Sequence, residues 1–206
     1  MEIAAIGTAP KFLPAITNYM EVNMLRRMLF TIGAATLVVG VTGTAFAQSK
    51  ATKIATATAA APAAIGKNAT VRDWPDKSGN MALIREGSNG WTCLPSHPKT
   101  RTITNDAMCY DANFGDLMAA LMSNKPPALK GVGYSYMLGA DDWESNTDPM
   151  AQKETPDNQW HHVRSHVMVA YPDMAMLAGL PTRPSMNGPY VMWSGTPYAH
   201  VMWPVK

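Results

Sequence analysis

The clearest hydrophobic pattern in the chain lies within residues 111–124. Its apolar positions recur three and four residues apart, at Phe114, Leu117, Met118, Leu121 and Met122. Asp111 or Asn113 can cap the first turn, and Pro126 and Pro127 prevent the helix from continuing. The pattern therefore predicts one good helix.

Several shorter segments have the composition of strands, at residues 69–74, 81–85, 90–94, 132–138 and 162–171. Asn89-Gly90 is a turn pair, so we expect residues 81–85 and 90–94 to form a hairpin. Residues 189–193 are echoed by residues 197–203, with Ser194-Gly195-Thr196 between them. Two apolar runs separated by a glycine-containing turn predict a second hairpin at the C-terminus.

The remaining segments are polar connections and one short helix. We predict loops over residues 95–106 and 139–158. Asp173 can cap a short helix over residues 173–178, with Gly179 just past its end. The predicted fold class is α+β: a mainly antiparallel sheet with one good helix and one short helix covering one face.

The N-terminal region has the pattern of an export signal. Arg26 and Arg27 precede an uncharged, mostly apolar run of 13 residues, 29–41, and residues 44–47 give a small-x-small cleavage pattern after which we expect cleavage at Ala47. The run is shorter than the ~20 residues of a membrane span. We predict that residues 1–47 are an N-terminal extension and cleaved signal peptide, that the protein is periplasmic or secreted, and that it does not insert stably into a membrane.

Residues 48–67 are rich in alanine and threonine and show no period that buries one face. They predict a flexible leader, followed by a single globular α+β domain over residues 68–206.

Composition excludes some functions. With 47% hydrophobic and 16% charged residues, the chain is too apolar for wholesale disorder. After residue 47 the formal charge is +1, which provides no field to recruit nucleic acid or anionic lipid. Cys93 and Cys109 are an even pair in an exported chain, which favours a disulfide over a redox or metal-binding pair.

Methionine and histidine are the residues whose pattern suggests chemistry. Twelve of the sixteen methionines follow residue 47, and the triplet His-Val-Met occurs twice, at residues 166–168 and 200–202. In a strand, residues i and i+2 share a face, so each triplet presents an imidazole beside a thioether. If the two strands are neighbours, His162, His166, Met168, His200 and Met202 form a candidate copper site, because Cu(I) favours soft ligands.

Other interpretations remain open. Methionine commonly fills gaps in cores, so the triplets also fit simple packing. His162 and His166 have the spacing of a zinc-hydrolase helix, but Val163 stands where the general base belongs. The carboxylates of residues 141–148 offer oxygen ligands for Ca²⁺ without the spacing of a known calcium loop, which favours a solvated polar loop. No catalytic residue can be named.

Four stretches together resemble a family of exported bacterial proteins of unknown function: residues 85–93, 145–149, 166–169 and 188–200. The resemblance implies export and one compact domain, and it transfers no substrate, cofactor or catalytic residue. We therefore expect a non-enzymatic binding or accessory module, with copper as the sharpest ligand hypothesis and no nucleic-acid partner. A secreted hydrolase with an unrecognised site, or a structural protein of the envelope, is the alternative.

Overall fold

A mixed eight-stranded sheet organises the protein, for which a computed structural model describes residues 48–97 and 105–205. Its strands, in chain order, are β1 Thr70–Arg72, β2 Leu83–Arg85, β3 Thr92–Leu94, β4 Met108–Tyr110, β5 Gly133–Met137, β8 His166–Ala170, β9 Tyr190–Met192 and β10 His200–Pro204. Strands β6, Trp143–Ser145, and β7, Trp160–His162, form a separate pair. The helices are α1 Lys50–Ala59, α2 Ala63–Gly66, α3 Ala112–Met122 and a 3-10 helix, Met174–Leu177.

The spatial order is β2-β1-β3-β4-β5-β8-β10-β9. Strands β1 and β3 are parallel, and the other neighbours in this sheet are antiparallel. The predicted α+β class, dominated by sheet, is confirmed. Cys93 on β3 lies opposite Cys109 on β4, and the two fully buried cysteines form the predicted disulfide.

Helix α3 confirms the strongest sequence pattern. Asp111 caps it: one carboxylate oxygen accepts the Phe114 backbone N–H at 2.8 Å, and the other accepts the Tyr134 N–H of β5 at 3.1 Å. The same carboxylate thus starts the helix and ties it to the sheet. Phe114 and Leu117 point into the core.

The two sheet faces carry different cores. One, which we call the α3 face, is rich in methionine and aromatic side chains and packs against α3: Leu94, Met108, Tyr110, Met137, Met168, Tyr190, Met192 and Met202. The other, the α1 face, packs small side chains against α1, among them Val71, Cys93 and Cys109. The prediction that the helices cover a single face is therefore wrong.

Residues 48–67 are not a flexible leader, and the folded part does not begin at residue 68. Ser49 caps α1 by accepting the Thr52 N–H at 3.1 Å, and Lys53 forms an ion pair with Asp73. Ala57 and Ala60 have no exposed surface. The fully buried positions of this segment are alanines, with Ile54 half-buried beside them. The small side chain of alanine gives little hydrophobic signal, yet it lets the helix approach the sheet closely.

The predicted hairpin of residues 81–85 and 90–94 is also wrong, because β1 lies between β2 and β3. The connection passes around the start of β1: the Ser88 N–H donates to Asn68 O at 2.8 Å, and a Cβ on Gly87 would lie 2.1 Å from the Thr70 nitrogen. Gly90 does adopt a positive φ of 77°, but in a wide connection.

The predicted strand over residues 162–171 is broken at residues 163–165 into β7 and β8, which belong to different sheets. Strand β6 lies inside the predicted loop 139–158. The C-terminal hairpin is present as β9 and β10, and Asp173 caps the predicted short helix by accepting the Ala175 N–H. The predicted signal segment, 1–47, lies outside the described residues. Within the described ranges, no helix has the length and apolar character needed to cross a membrane.

Candidate metal-binding cavity

Strand pairing brings the two His-Val-Met triplets together on the α3 face. In the register of β8 and β10, Met202 lies directly opposite Met168, and in that of β9 and β10, His200 lies opposite Met192. Directly opposed side chains have Cβ atoms about 5 Å apart. These four residues, each nine-tenths or more buried, form a contiguous group that we call the His–Met block.

The His200 ring is held in one tautomer. Its Nδ1 lies 2.9 Å from the Tyr198 carbonyl oxygen, which can only accept, so Nδ1 carries the hydrogen. Nε2 therefore presents a lone pair, and it has no hydrogen-bond partner in the described part of the chain. Burial lowers the pKa of His200 to about 4, against the opposing effect of the Tyr198 carbonyl, so the imidazole is neutral near pH 7.

Aromatic rings fix the orientation of that imidazole. The ring of Trp193 lies edge-on at 5.0 Å between centroids, and that of Phe114 at 6.0 Å. Trp193 is anchored in turn, because its indole N–H donates to the Ser145 carbonyl at 2.9 Å. Trp203 is on the opposite sheet face, as its alternation with Met202 predicts, and is 53% exposed.

The block lines a cavity of about 470 Å³. The rest of its apolar lining includes Met108, Phe114, Leu117, Leu121 and Met137, and its polar lining includes Asp106, Asp141, Asp142 and Glu144. The side chains of the block are more deeply buried than those of Asp142 and Glu144 in the same lining.

Several carboxyl groups lie close together in the wall of this cavity. The pKa of Asp141 is raised well above its usual value, first by burial and then by the neighbouring negative charge of Glu144, with smaller contributions from Asp106 and Asp142; the Asp142 N–H opposes the shift. A bound cation would relieve that repulsion.

The structure divides the five predicted ligands between two cavities. Met168, His200 and Met202 line the large one. His162 and His166 line a second cavity of about 110 Å³. Because Met168 pairs with Met202, His166 lies opposite Pro204, four residues along β8 from Ala170, the residue that faces His200. The backbone of His166 is therefore about 13 Å along the strand from that position. The five predicted ligands thus line two cavities rather than one.

Sequence reasoning missed Met192. The echo of residues 189–193 in residues 197–203 identified the hairpin, and its register would have placed Met192 opposite His200. Among the described residues, no group of three or more histidine, cysteine, aspartate or glutamate side chains is arranged to hold a metal ion, so a metal site here has to use thioethers.

Comparison of the chain with protein-family models, curated proteins and solved structures gave no match. The fold and the cavity together define a disulfide-linked α+β protein with a methionine-lined cavity.

Proposed function

We propose that this is an exported, non-enzymatic binding module that holds Cu(I) in the His–Met block. The observation that carries the proposal is the buried Nε2 lone pair of His200, without a partner among the described residues, beside the thioethers of Met192, Met202 and Met168. The buried Cys93–Cys109 disulfide fits an oxidising compartment and supports export.

The ligand chemistry favours a soft, monovalent ion. One neutral imidazole and three thioethers carry no charge, and thioethers select Cu(I) over Mg²⁺ or Ca²⁺, which prefer oxygen. The Nδ1–H bond to Tyr198 is the kind of contact that orients a histidine ligand and raises its basicity.

Packing alone accounts for the methionines but not for the histidine. A buried polar atom left without a hydrogen bond costs about 1–3 kcal/mol, and a metal ion at Nε2 would remove that cost. Methionine has three rotatable bonds, so its thioethers can turn toward an ion without backbone movement.

A hydrolase is the weaker hypothesis. No serine, threonine, cysteine or lysine is among the described residues that line the large cavity, so those residues provide no hydroxyl, thiol or amine nucleophile. A purely structural role gives no account of the buried His200 Nε2, which has no partner among the described residues.

A Cu(I) titration against a competing chelator tests the proposal. The unaltered protein should bind Cu(I) tightly. Met202→Leu keeps the side-chain volume but removes the sulfur, so this variant should bind one equivalent of Cu(I) fewer. His200→Gln should lose the same equivalent. Met118→Leu is the matched control, because Met118 lines the same cavity outside the block. Absence of tight binding, or equal binding by all four proteins, would reject copper as the ligand.

A further inference from the structure

The second cavity, of about 110 Å³, gathers three histidines and a methionine. His161 and His162 come from β7, His166 from β8 and Met186 from the segment that precedes β9. The break at residues 163–165 between β7 and β8 lets neighbouring segments of the chain contribute to one pocket.

Two of the three imidazoles have a buried nitrogen with no partner in the described ranges. His166 is 2% exposed, and its Nδ1 lies 2.6 Å from the Arg164 carbonyl oxygen, so Nδ1 donates and Nε2 carries a lone pair. The Nε2 of His162 is likewise buried and unpartnered, and its ring stacks on Trp143 with centroids 5.9 Å apart.

His161 differs because both of its nitrogens are used. Nδ1 donates to the Gln159 carbonyl at 3.1 Å, and Nε2 accepts the Tyr190 hydroxyl hydrogen at 3.2 Å. This contact positions Tyr190 as a wall of the pocket. His161 is therefore not counted as a ligand.

The lining also contains Arg164 and Ser185, which in other surroundings would favour an anion. The imidazoles argue against one. The ring hydrogen of His166 lies on Nδ1, where it is donated to the Arg164 carbonyl, so Nε2 presents a lone pair and has no hydrogen to donate to an anion. Arg164 is exposed to solvent, and the contact it makes with His166 is through its carbonyl.

We propose that His162 Nε2, His166 Nε2 and the Met186 thioether form a second soft-metal site, so that the protein holds two Cu(I) or Ag(I) ions. This inference rests on the proposed function and deepens it. Met186 is 46% exposed, whereas the ligands of the His–Met block are buried. The second site is therefore the outer one, accessible from solvent, and the block is the inner one.

Silver(I), a soft ion that does not change oxidation state in air, is the probe for counting the sites by calorimetry with a competing ligand. We expect two equivalents for the unaltered protein. Met186→Leu combined with His162→Gln should remove one, Met202→Leu should remove the other, and the triple variant should bind none. Met176→Leu is the control, since Met176 is an exposed methionine outside both cavities.

The outcomes separate the two proposals. If Met202→Leu removes one equivalent and the Met186/His162 variant removes none, the second site is wrong and the proposed function stands. The reverse result would reject the His–Met block and keep the outer site. Met186→Leu alone changes only a half-exposed side chain, so a weaker second equivalent in that variant cannot be ascribed to unfolding. Inorganic phosphate binding that Arg164→Gln abolishes, with silver binding at this site absent, would assign the pocket to an anion and overturn the proposal.

Discussion

At the scale of single residues, the unusual groups are two buried, neutral histidines. His166 and His200 each use Nδ1 to donate to a carbonyl two residues earlier in the chain, and each leaves Nε2 without a partner in the described ranges. Sequence alone places both on strands, but it does not show which ring nitrogen is occupied. That detail comes from the strand geometry and decides whether the residue can bind a metal.

These histidines make the fold sensitive to acid. Burial lowers the pKa of both from 6.5 to about 4. Below pH 6.5 the unfolded chain therefore binds protons at these two residues that the folded protein does not bind. Stability is therefore lost as pH falls from 6.5 toward 4, by about 2 kcal/mol per histidine at about pH 5. Asp141 acts in the opposite direction: because its pKa is raised in the folded protein, ionisation of Asp141 lowers the free energy of unfolding as pH rises.

Urea unfolding at about pH 7 and about pH 5 measures this effect. The midpoint should fall in acid, and the fall should be smaller in a His166→Gln/His200→Gln variant because two titrating groups are gone. An identical acid shift in both proteins would show that the two imidazoles are already protonated or exposed in the folded state.

At the scale of elements, α3 closes the large cavity and depends on a glycine beneath it. A Cβ on Gly133 of β5 would lie 2.5 Å from the Phe114 backbone nitrogen, so the helix would have to move. We expect Gly133→Ala to destabilise the protein by about 2 kcal/mol or more and to weaken metal binding in the block. Gly188→Ala, where a Cβ meets nothing within 4 Å, is the control in thermal unfolding. Equal melting temperatures would contradict the close packing of α3.

Helix α1 packs by the same close approach on the other face. Ala57 is fully buried, and its carbonyl oxygen lies 3.3 Å from Cys109 Sγ. Ala57→Leu should cost about 1–3 kcal/mol by overpacking, whereas Ala55→Leu, on the exposed side, should change stability by about 0.5 kcal/mol or less. Chemical denaturation of both variants checks this. Identical curves would restore the flexible-leader hypothesis.

These elements also show what the sequence could predict. Helix α3 was identified because large apolar side chains mark its buried stripe, and the terminal hairpin because its two strands repeat. Helix α1 was missed because its stripe is alanine. The order β2-β1-β3 was missed because Asn89-Gly90 fits a tight turn equally well, and only the contact of Gly87 with β1 shows the longer path.

The sequence predicted which residues of the candidate site share a strand face, but not how the strands pair. Alternation along a strand placed His200 beside Met202, and His166 beside Met168. The register of β8 against β10, which sends His166 to another pocket, depends on pairings between residues more than 30 positions apart. Met192 is instead brought to His200 by the local β9–β10 hairpin. Period-two patterns assign faces to side chains, and they leave the pairing register undetermined.

At the scale of the whole molecule, one sheet joins two cores of different character, and the disulfide links β3 to β4 where the α1 core lies. Cys93→Ala/Cys109→Ala frees a loop with a sequence separation of 16 and should lower the unfolding free energy by about 3 kcal/mol. Because the cysteines are remote from the His–Met block on the opposite face, metal stoichiometry should be retained at temperatures where the variant is folded. Denaturation and silver titration of the same variant test both statements.

The measurement that tests the central claim most directly is NMR of the protein with ¹³C-labelled methionine methyl groups during addition of Ag(I). The methyl signals of Met168, Met192 and Met202 should shift together and saturate with one bound ion, while those of Met118 and Met176 stay in place. If those three signals do not move, or if only exposed methionines respond, the His–Met block is a packed core and not a metal site.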